Sequence, residues 1–172
     1  ALERLDLSGW RVAYSGSEPI RLDTLERFAE KFSVCGFSHE NFLASYGLAE
    51  ATLFVAGGVR GHGIPALHLD DQALAQNRAE PGQGSAMMSC GFSQPEHAVL
   101  VMDPQQLGEL PDNRIGEVWA AGPSIAHGYW RNPEATAKTF VQHAGRTWLR
   151  TGDLGFIRDG ELFITGRLKD LL

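Results

Sequence analysis

The 172-residue chain is poor in cysteine, in paired histidines and in positive charge, and each shortage removes a class of function. Its two cysteines, Cys35 and Cys90, are too few and too far apart for a disulfide framework or a metal knuckle, and they suit reduced thiols in the cytoplasm. The six histidines, His39, His62, His68, His97, His127 and His143, lack the i, i+4 or cysteine-paired spacing of a zinc site. Fifteen Lys plus Arg against 21 Asp plus Glu give a formal charge of −6, which leaves no electrostatic footprint for nucleic acid or an anionic membrane. No apolar run reaches membrane-spanning length, and no charged segment leading into an apolar one opens the chain as a secretory signal would. There is no Gly-x-Ser-x-Gly elbow to supply a serine nucleophile. "GGVRGHG" lacks Walker spacing and a following Lys-Ser/Thr, so it reads as a flexible loop rather than a phosphate cradle. An initiator methionine is missing too, and the expectation is a piece of a longer protein.

What is present is a foldable chain, 43% hydrophobic, that divides in two. "WRVAYSG" (residues 10–16) reads as a buried strand ended by Gly16. From Arg21 onward Leu22, Leu25, Phe28, Ala29 and Phe32 fall at helical spacing with charged residues between them, the stripe of an amphipathic helix on a sheet. "NFLASYGLAEATLFVAGG" enters and leaves a Tyr-Gly turn through apolar runs. Residues 57–84 read as an inserted glycine-rich excursion, in which "DDQALAQNR" has room for two helical turns. Beyond it "AMMSCG", "HAVLVMD", "GEVWAAG", "TWLRTG", "LGFI" and "ELFITG" are short strands between turn signals. "NPEATAKTF" starts a helix, with Asn132 as cap, Pro133 at the first helical position and Glu134 in the first turn. The reading is α/β for residues 1–90 and β-rich for residues 91–172.

Three charged turns follow apolar runs: "SYGLAEAT", "WLRTGDLG" and "ITGRLKDLL". Carboxylates and guanidinium groups at strand ends are where α/β proteins place ligand contacts. Asp153 and Arg167 flank the Asp-Gly hairpin "FIRDGELFI", whose strands return Arg167 towards Asp153. Two purposes fit such a pair: a structural ion pair, or a carboxylate kept to accept bonds from two adjacent hydroxyls, each charged bond worth about 1.5–3 kcal/mol.

"SGSEPI", "YGLAEAT", "GEVWAAGPSIAHGYW", "WLRTGDLG" and "GRLKD", in this order and spacing, resemble consecutive motifs of the adenylate-forming superfamily of acyl-CoA synthetases, nonribosomal-peptide adenylation domains and luciferases. "YGLAEATLFVAGG", the excursion after it, and "SCG" followed by "VLVMDP" are most similar to the fatty acyl-AMP ligases. The resemblance implies the C-terminal part of a large adenylate-forming domain: a piece of an α/β layered AMP-binding subdomain, then a β-rich, distorted barrel-like subdomain. It implies an enzyme that uses ATP and Mg²⁺ to turn a fatty acid into an acyl adenylate plus pyrophosphate, then passes the acyl group to a carrier-protein phosphopantetheine.

By that resemblance Gly16, Ser17, Glu18 and Pro19 line the adenine pocket, Tyr46 packs on the adenine face, and Gly47, Leu48 and Ala49 form the adjoining turn. Ala49 departs from the superfamily's usual threonine, a change the fatty acyl-AMP ligases share. Glu50 matches the acid that helps hold Mg²⁺ through water. Asp153 matches the aspartate that holds both ribose hydroxyls, Arg167 reaches ribose or phosphate, and Ile164 packs beside the nucleoside. Lys169 takes the hinge position before a rotating C-terminal domain, and residues 57–84 match an insertion that restrains the rotation needed for coenzyme A transfer. The phosphate loop and the lysine-bearing lid fall outside residues 1–172, so the piece alone is expected to be inactive. The rival readings are an acyl-CoA synthetase and a noncatalytic nucleotide-binding module.

Overall fold

The computed structural model describes residues 2–170. Strand β1 (Ala13–Ser15) leads through helix α1 (Leu22–Ser33) into β2 (Phe42–Tyr46), which runs parallel to it with Ala13 opposite Phe42 and Ser15 opposite Ala44. The apolar stripe of α1 seats on Ala13, Phe37, Phe42 and Ala44, and Phe28 stands edge-on to Phe37 and Phe42 with centroids 5.1 and 5.9 Å apart. "WRVAYSG" is therefore less of a strand than its composition implies. Only Ala13 is buried; Tyr14 is 68% exposed, because β1 ends the sheet with β2 as its one neighbour. Trp10 stays outside the strand and donates its indole N–H to the Val12 carbonyl at 2.6 Å.

Residues 58–65, which include most of "GGVRGHG", form a loop, but the rest of the 57–84 segment is built from strands paired into the sheet and a short helix. After β3 (Ala56–Gly57), which pairs antiparallel with β2, come β4 (Ala66–Leu69), α2 (Asp71–Leu74) and the long β5 (Pro81–Ser93). β4 lies antiparallel on the first half of β5, with Ala66 opposite Met88 and His68 opposite Ala86. The helix between them is one turn rather than two; Asp70 caps it by accepting from the Ala73 amide at 2.8 Å, and the chain turns away at Asn77 with φ +56. Leu69 and Ala79 enter one core cluster with Ile115, Leu154, Phe156 and Phe163.

The remaining strands are β6 (Ala98–Met102), β7 (Gly116–Ala121), β8 (Phe140–His143), β9 (Arg146–Arg158) and β10 (Glu161–Arg167), with helix α3 (Pro133–Thr139) before β8. Asn132 caps α3 by accepting from the Ala135 amide at 3.1 Å, with Pro133 following it as read from the sequence. The strand order is β1-β2-β3-β5-β10-β9-β7-β6, with β4 on β5 and β8 on β9. This sheet is open. A barrel needs two partners for every strand, and β1 and β6 have one each, so the barrel-like expectation is replaced by a mixed, branched sheet. The boundary expected near residue 90 falls inside β5, which pairs with β3, β4 and β10.

Phe156 and Phe163 stack at 4.8 Å between centroids, and Val118, Ala120, Leu149 and Phe156 are fully buried. Val118, Leu149 and Phe156 each contribute roughly 1.5–3 kcal/mol by leaving water. That packing holds β7, β9 and β10 in register beneath the charged residues described next. Among the described residues no helix is long and apolar enough to cross a membrane.

Candidate active site

Thr151, Gly152 and Asp153 were expected at the end of a strand; instead β9 runs unbroken through them. Against β7, Trp119 pairs with Arg150 and Glu117 with Leu154, so Val118 alone faces the three residues between. Against β10, Gly166 pairs with Leu154 and Arg167 with Asp153, which leaves Thr165 as an extra residue on that side. β9 thus bulges against β7, and β10 bulges against β9 directly beside it. Gly152 makes the bulge possible with φ +71, in the left-handed region that costs other residues about 1–2 kcal/mol. Thr151 fastens it, its hydroxyl donating to the Val118 carbonyl at 2.7 Å and accepting from the Asp153 amide at 3.1 Å.

The bulge turns the Asp153 carboxylate onto the end of β2. Tyr46 donates its hydroxyl to Oδ2 at 2.7 Å, and Arg167 Nε stands 3.5 Å from Oδ1. The hairpin read from "RDG" makes that approach: Asp159 and Gly160 both have positive φ, the twist a two-residue turn requires, and Arg158 pairs with Glu161. Arg167 is 61% exposed, so the pair is a loose one of the kind worth about 0–1 kcal/mol. Tyr46 is the firmer partner. Burial first, then the Asp153 charge, holds its phenol above the ordinary value, so it remains a donor across physiological pH. A carboxylate offers about four lone-pair sites, and one hydroxyl leaves room for further donors. Cys90 lies beneath, buried, its thiol pushed up to about 11 mainly by burial, the setting of a structural cysteine.

Beyond Tyr46 the chain folds back so tightly that a side chain at Gly47 would strike the Leu53 carbonyl. The 3-10 turn Ala49–Ala51 follows and carries Glu50. Residues 124–129 grip this turn. Thr52 donates to the Ser124 carbonyl at 2.7 Å, Ser124 donates to the Ala51 carbonyl at 2.8 Å, and the Ala126 amide donates to the Glu50 carbonyl at 2.8 Å. Tyr129 donates its hydroxyl to Glu50 Oε1 at 2.6 Å. Glu50 opens onto a cleft of about 430 Å³ shared with Tyr129, Lys138, Arg150 and Gly152, the neighbour of Asp153. The cleft lining thus ends one residue before Asp153 on β9.

Glu117 and Arg150 at the cleft floor are residues that motif reading treated only as strand. Glu117 is 2% exposed and accepts from Arg150 Nη2 at 2.8 Å, Arg150 Nε at 3.0 Å and Trp119 Nε1 at 3.0 Å. A glutamate inside the otherwise apolar run "GEVWAA" was the available signal, since buried charge needs a partner. Lys138, on α3, brings a second cation and pairs with Glu134 at 2.7 Å.

The other sequence-predicted residues scatter around this centre. Leu48 lines the cleft and Ala49 is exposed beside it. Gly16 abuts Ser45, next to Tyr46, while Ser17, Glu18 and Pro19 are exposed beyond β1. Ile164 packs with Tyr46 on the cluster of Ala56, Cys90, Val118 and Leu162. Lys169 is exposed in the closing turn Leu168–Asp170 and does not line the cleft.

Residues 1–130 match the AMP-binding enzyme family. The chain belongs to that family. It is 40% identical over 98% of its length to the medium-chain-fatty-acid–[acyl-carrier-protein] ligase TtuA of Teredinibacter turnerae, covering 28% of that protein. It is 38% identical over 99% of its length to the putative fatty-acid–CoA ligase FadD21 of Mycobacterium tuberculosis, covering 31% of that one. In three dimensions it resembles the fatty acyl-adenylate ligase from L. pneumophila solved with acyl adenylate and pyrophosphate, with 39% identity and a TM-score of 0.93 over 98% of this chain and 31% of that one. This AMP-binding chain therefore spans about 30% of the length of the relatives it matches.

Proposed function

We propose that the chain forms the nucleotide-holding part of an enzyme that joins a fatty acid to AMP at the expense of ATP, releasing pyrophosphate, and hands the acyl group to the phosphopantetheine thiol of an acyl carrier protein. The observation that carries the reading is the Asp153 carboxylate, presented by the β9 bulge, steadied by Tyr46 and Arg167, and next along the strand to Gly152 in a cleft lined by two acids, Glu50 and Glu117, and two cations, Lys138 and Arg150. Asp153 would accept both ribose hydroxyls, Arg167 would meet ribose or phosphate, and the groups around Glu50 would face the phosphates. Gly16, Ser17, Glu18, Pro19 and Ile164 would border the nucleoside, with Tyr46 against its base. Lys169 would be the hinge to a further domain.

Acyl adenylation brings two anions together, so its catalysis is positioning and charge neutralisation. Magnesium fits this site only as the counter-ion of a nucleotide. Among the described residues no group of three or more His, Cys, Asp or Glu could hold a metal ion, and Glu50 is a single carboxylate. That suits a cation held mostly by phosphate and water, with one protein oxygen added. Bound there, it would spread the charge that builds on the leaving phosphates.

A second reading, transfer to coenzyme A, is favoured by the likeness to FadD21. In our reading residues 57–84 restrain the rotation that transfer requires, and the enzyme works in the cytoplasm. ATP–pyrophosphate exchange by the complete protein with a series of fatty acids, followed by loading of a holo carrier protein or coenzyme A, tests both steps. Fatty-acid-dependent exchange with carrier loading is expected. Efficient acyl-CoA formation would replace the acceptor, and absence of exchange with any fatty acid would overturn the activity.

A further inference from the structure

The contacts made by residues 124–129 on the Glu50 turn are of two kinds. Three of them fix backbone or neighbouring residues, and these would serve any tight turn. The fourth is different, because the Tyr129 hydroxyl takes one oxygen of the Glu50 carboxylate itself, at 2.6 Å. Tyr129 is in turn held from behind. Its amide donates to Thr136 Oγ1 at 2.9 Å, that hydroxyl donates to the Asn132 carbonyl at 2.8 Å, and its ring stands edge-on to Phe140 at 5.6 Å between centroids. The N-terminal turn of α3 thus fixes the phenol, and the phenol fixes the carboxylate.

A carboxylate oxygen that already accepts a short hydrogen bond is the poorer ligand of the two, so the free oxygen is the one favoured for a cation. Small Mg²⁺ demands near-ideal octahedral geometry and takes a single oxygen from such a ligand, whereas the larger Ca²⁺ accepts carboxylates through both oxygens. We infer that Tyr129 makes Glu50 a one-oxygen ligand and so sets the site's preference for a small divalent cation, carried in on nucleotide phosphates, over a larger one. This rests on the proposed function and adds a positioning residue to it. The tyrosine acts through Glu50.

The test is Mn²⁺ binding to the complete protein, read by electron paramagnetic resonance with a nonhydrolysable ATP analogue present and with Mg²⁺ or Ca²⁺ as competitor, in wild type and Tyr129→Phe. The substitution keeps the ring on Phe140 and removes only the hydroxyl. Mn²⁺ and Mg²⁺ are expected to bind roughly 10-fold more weakly in the variant, the equivalent of about one charged hydrogen bond, while Ca²⁺ becomes a better competitor relative to Mg²⁺. Metal-free AMP binding and the melting temperature report on the fold. Unchanged Mn²⁺ affinity and an unchanged Ca²⁺-to-Mg²⁺ ratio would overturn the inference while leaving the proposed function standing. Loss of AMP binding in the variant would make Tyr129 a prop of the fold and also overturn it. Wild type that binds neither analogue nor Mn²⁺ would overturn the proposed function, and the inference with it.

Discussion

Asp153 is 15% exposed, touched by a phenol on one oxygen and a loosely held guanidinium on the other, an arrangement that leaves acceptor capacity unspent. Asp153→Ala is expected to weaken AMP binding by about 100-fold or more, two charged hydrogen bonds at about 1.5–3 kcal/mol each, as calorimetry would read it. Stability should fall by only about 1–3 kcal/mol, the cost of the unpaired Tyr46 hydroxyl. A variant that unfolds before it loses affinity would return Asp153 and Arg167 to a structural ion pair. Tyr46 carries a pH prediction. Its folded-state value is raised, chiefly by burial, so its contribution is complete below the unfolded value of about 10 and is lost as pH rises through the folded one. In an alkaline titration followed by tyrosinate absorbance, part of the signal should appear only with unfolding, and Tyr46→Phe should remove that part. The approach of Arg167 to Asp153 was legible in the hairpin residues, because a two-residue turn fixes register. The bond from Tyr46 was not, since it joins residues 107 positions apart and nothing local announces it.

At the scale of elements, the bulge in β9 makes the sharpest prediction, because Gly145 provides a matched control. Gly145 and Gly152 have φ +75 and +71, and an added Cβ would meet open space at both. Alanine at either position should cost about 1–2 kcal/mol in thermal unfolding. Only Gly152→Ala should also weaken AMP binding, since only that strain falls on the residue before Asp153. Equal losses of affinity would show that the bulge does not aim the carboxylate. Helix α3 was readable because its cap, proline and first-turn acid act within a few residues. The bulge was not, because Thr-Gly-Asp reads as a turn until the registers of both β7 and β10 are known. The β4–β5 pair was hidden likewise: glycines at 82 and 84 argue against a strand by propensity, and pairing overrides them.

For the whole molecule, residues 57–84 are woven into the core rather than appended to it. Leu69 is fully buried and Ala79 1% exposed, both against the cluster that contains Phe156 and Phe163. Removing one buried leucine costs about 2–5 kcal/mol, so deleting the segment should abolish cooperative unfolding and soluble expression. The acceptor is better tested by competition between carrier protein and coenzyme A than by that deletion. Residues 1–172 alone, about 30% of the length of their relatives, should show no ATP–pyrophosphate exchange, and exchange by them would show that this part suffices for the reaction. The claim on which all of this depends is that the end of β2, the Glu50 turn and the β9 bulge surround one adenosine monophosphate. The most direct measurement is a crystal structure of the complete protein with AMP. The account predicts both ribose hydroxyls within about 3 Å of Asp153 and the phosphate directed to the cleft beside Glu50. Nucleotide bound elsewhere, with Asp153 still facing only Tyr46 and Arg167, would contradict it.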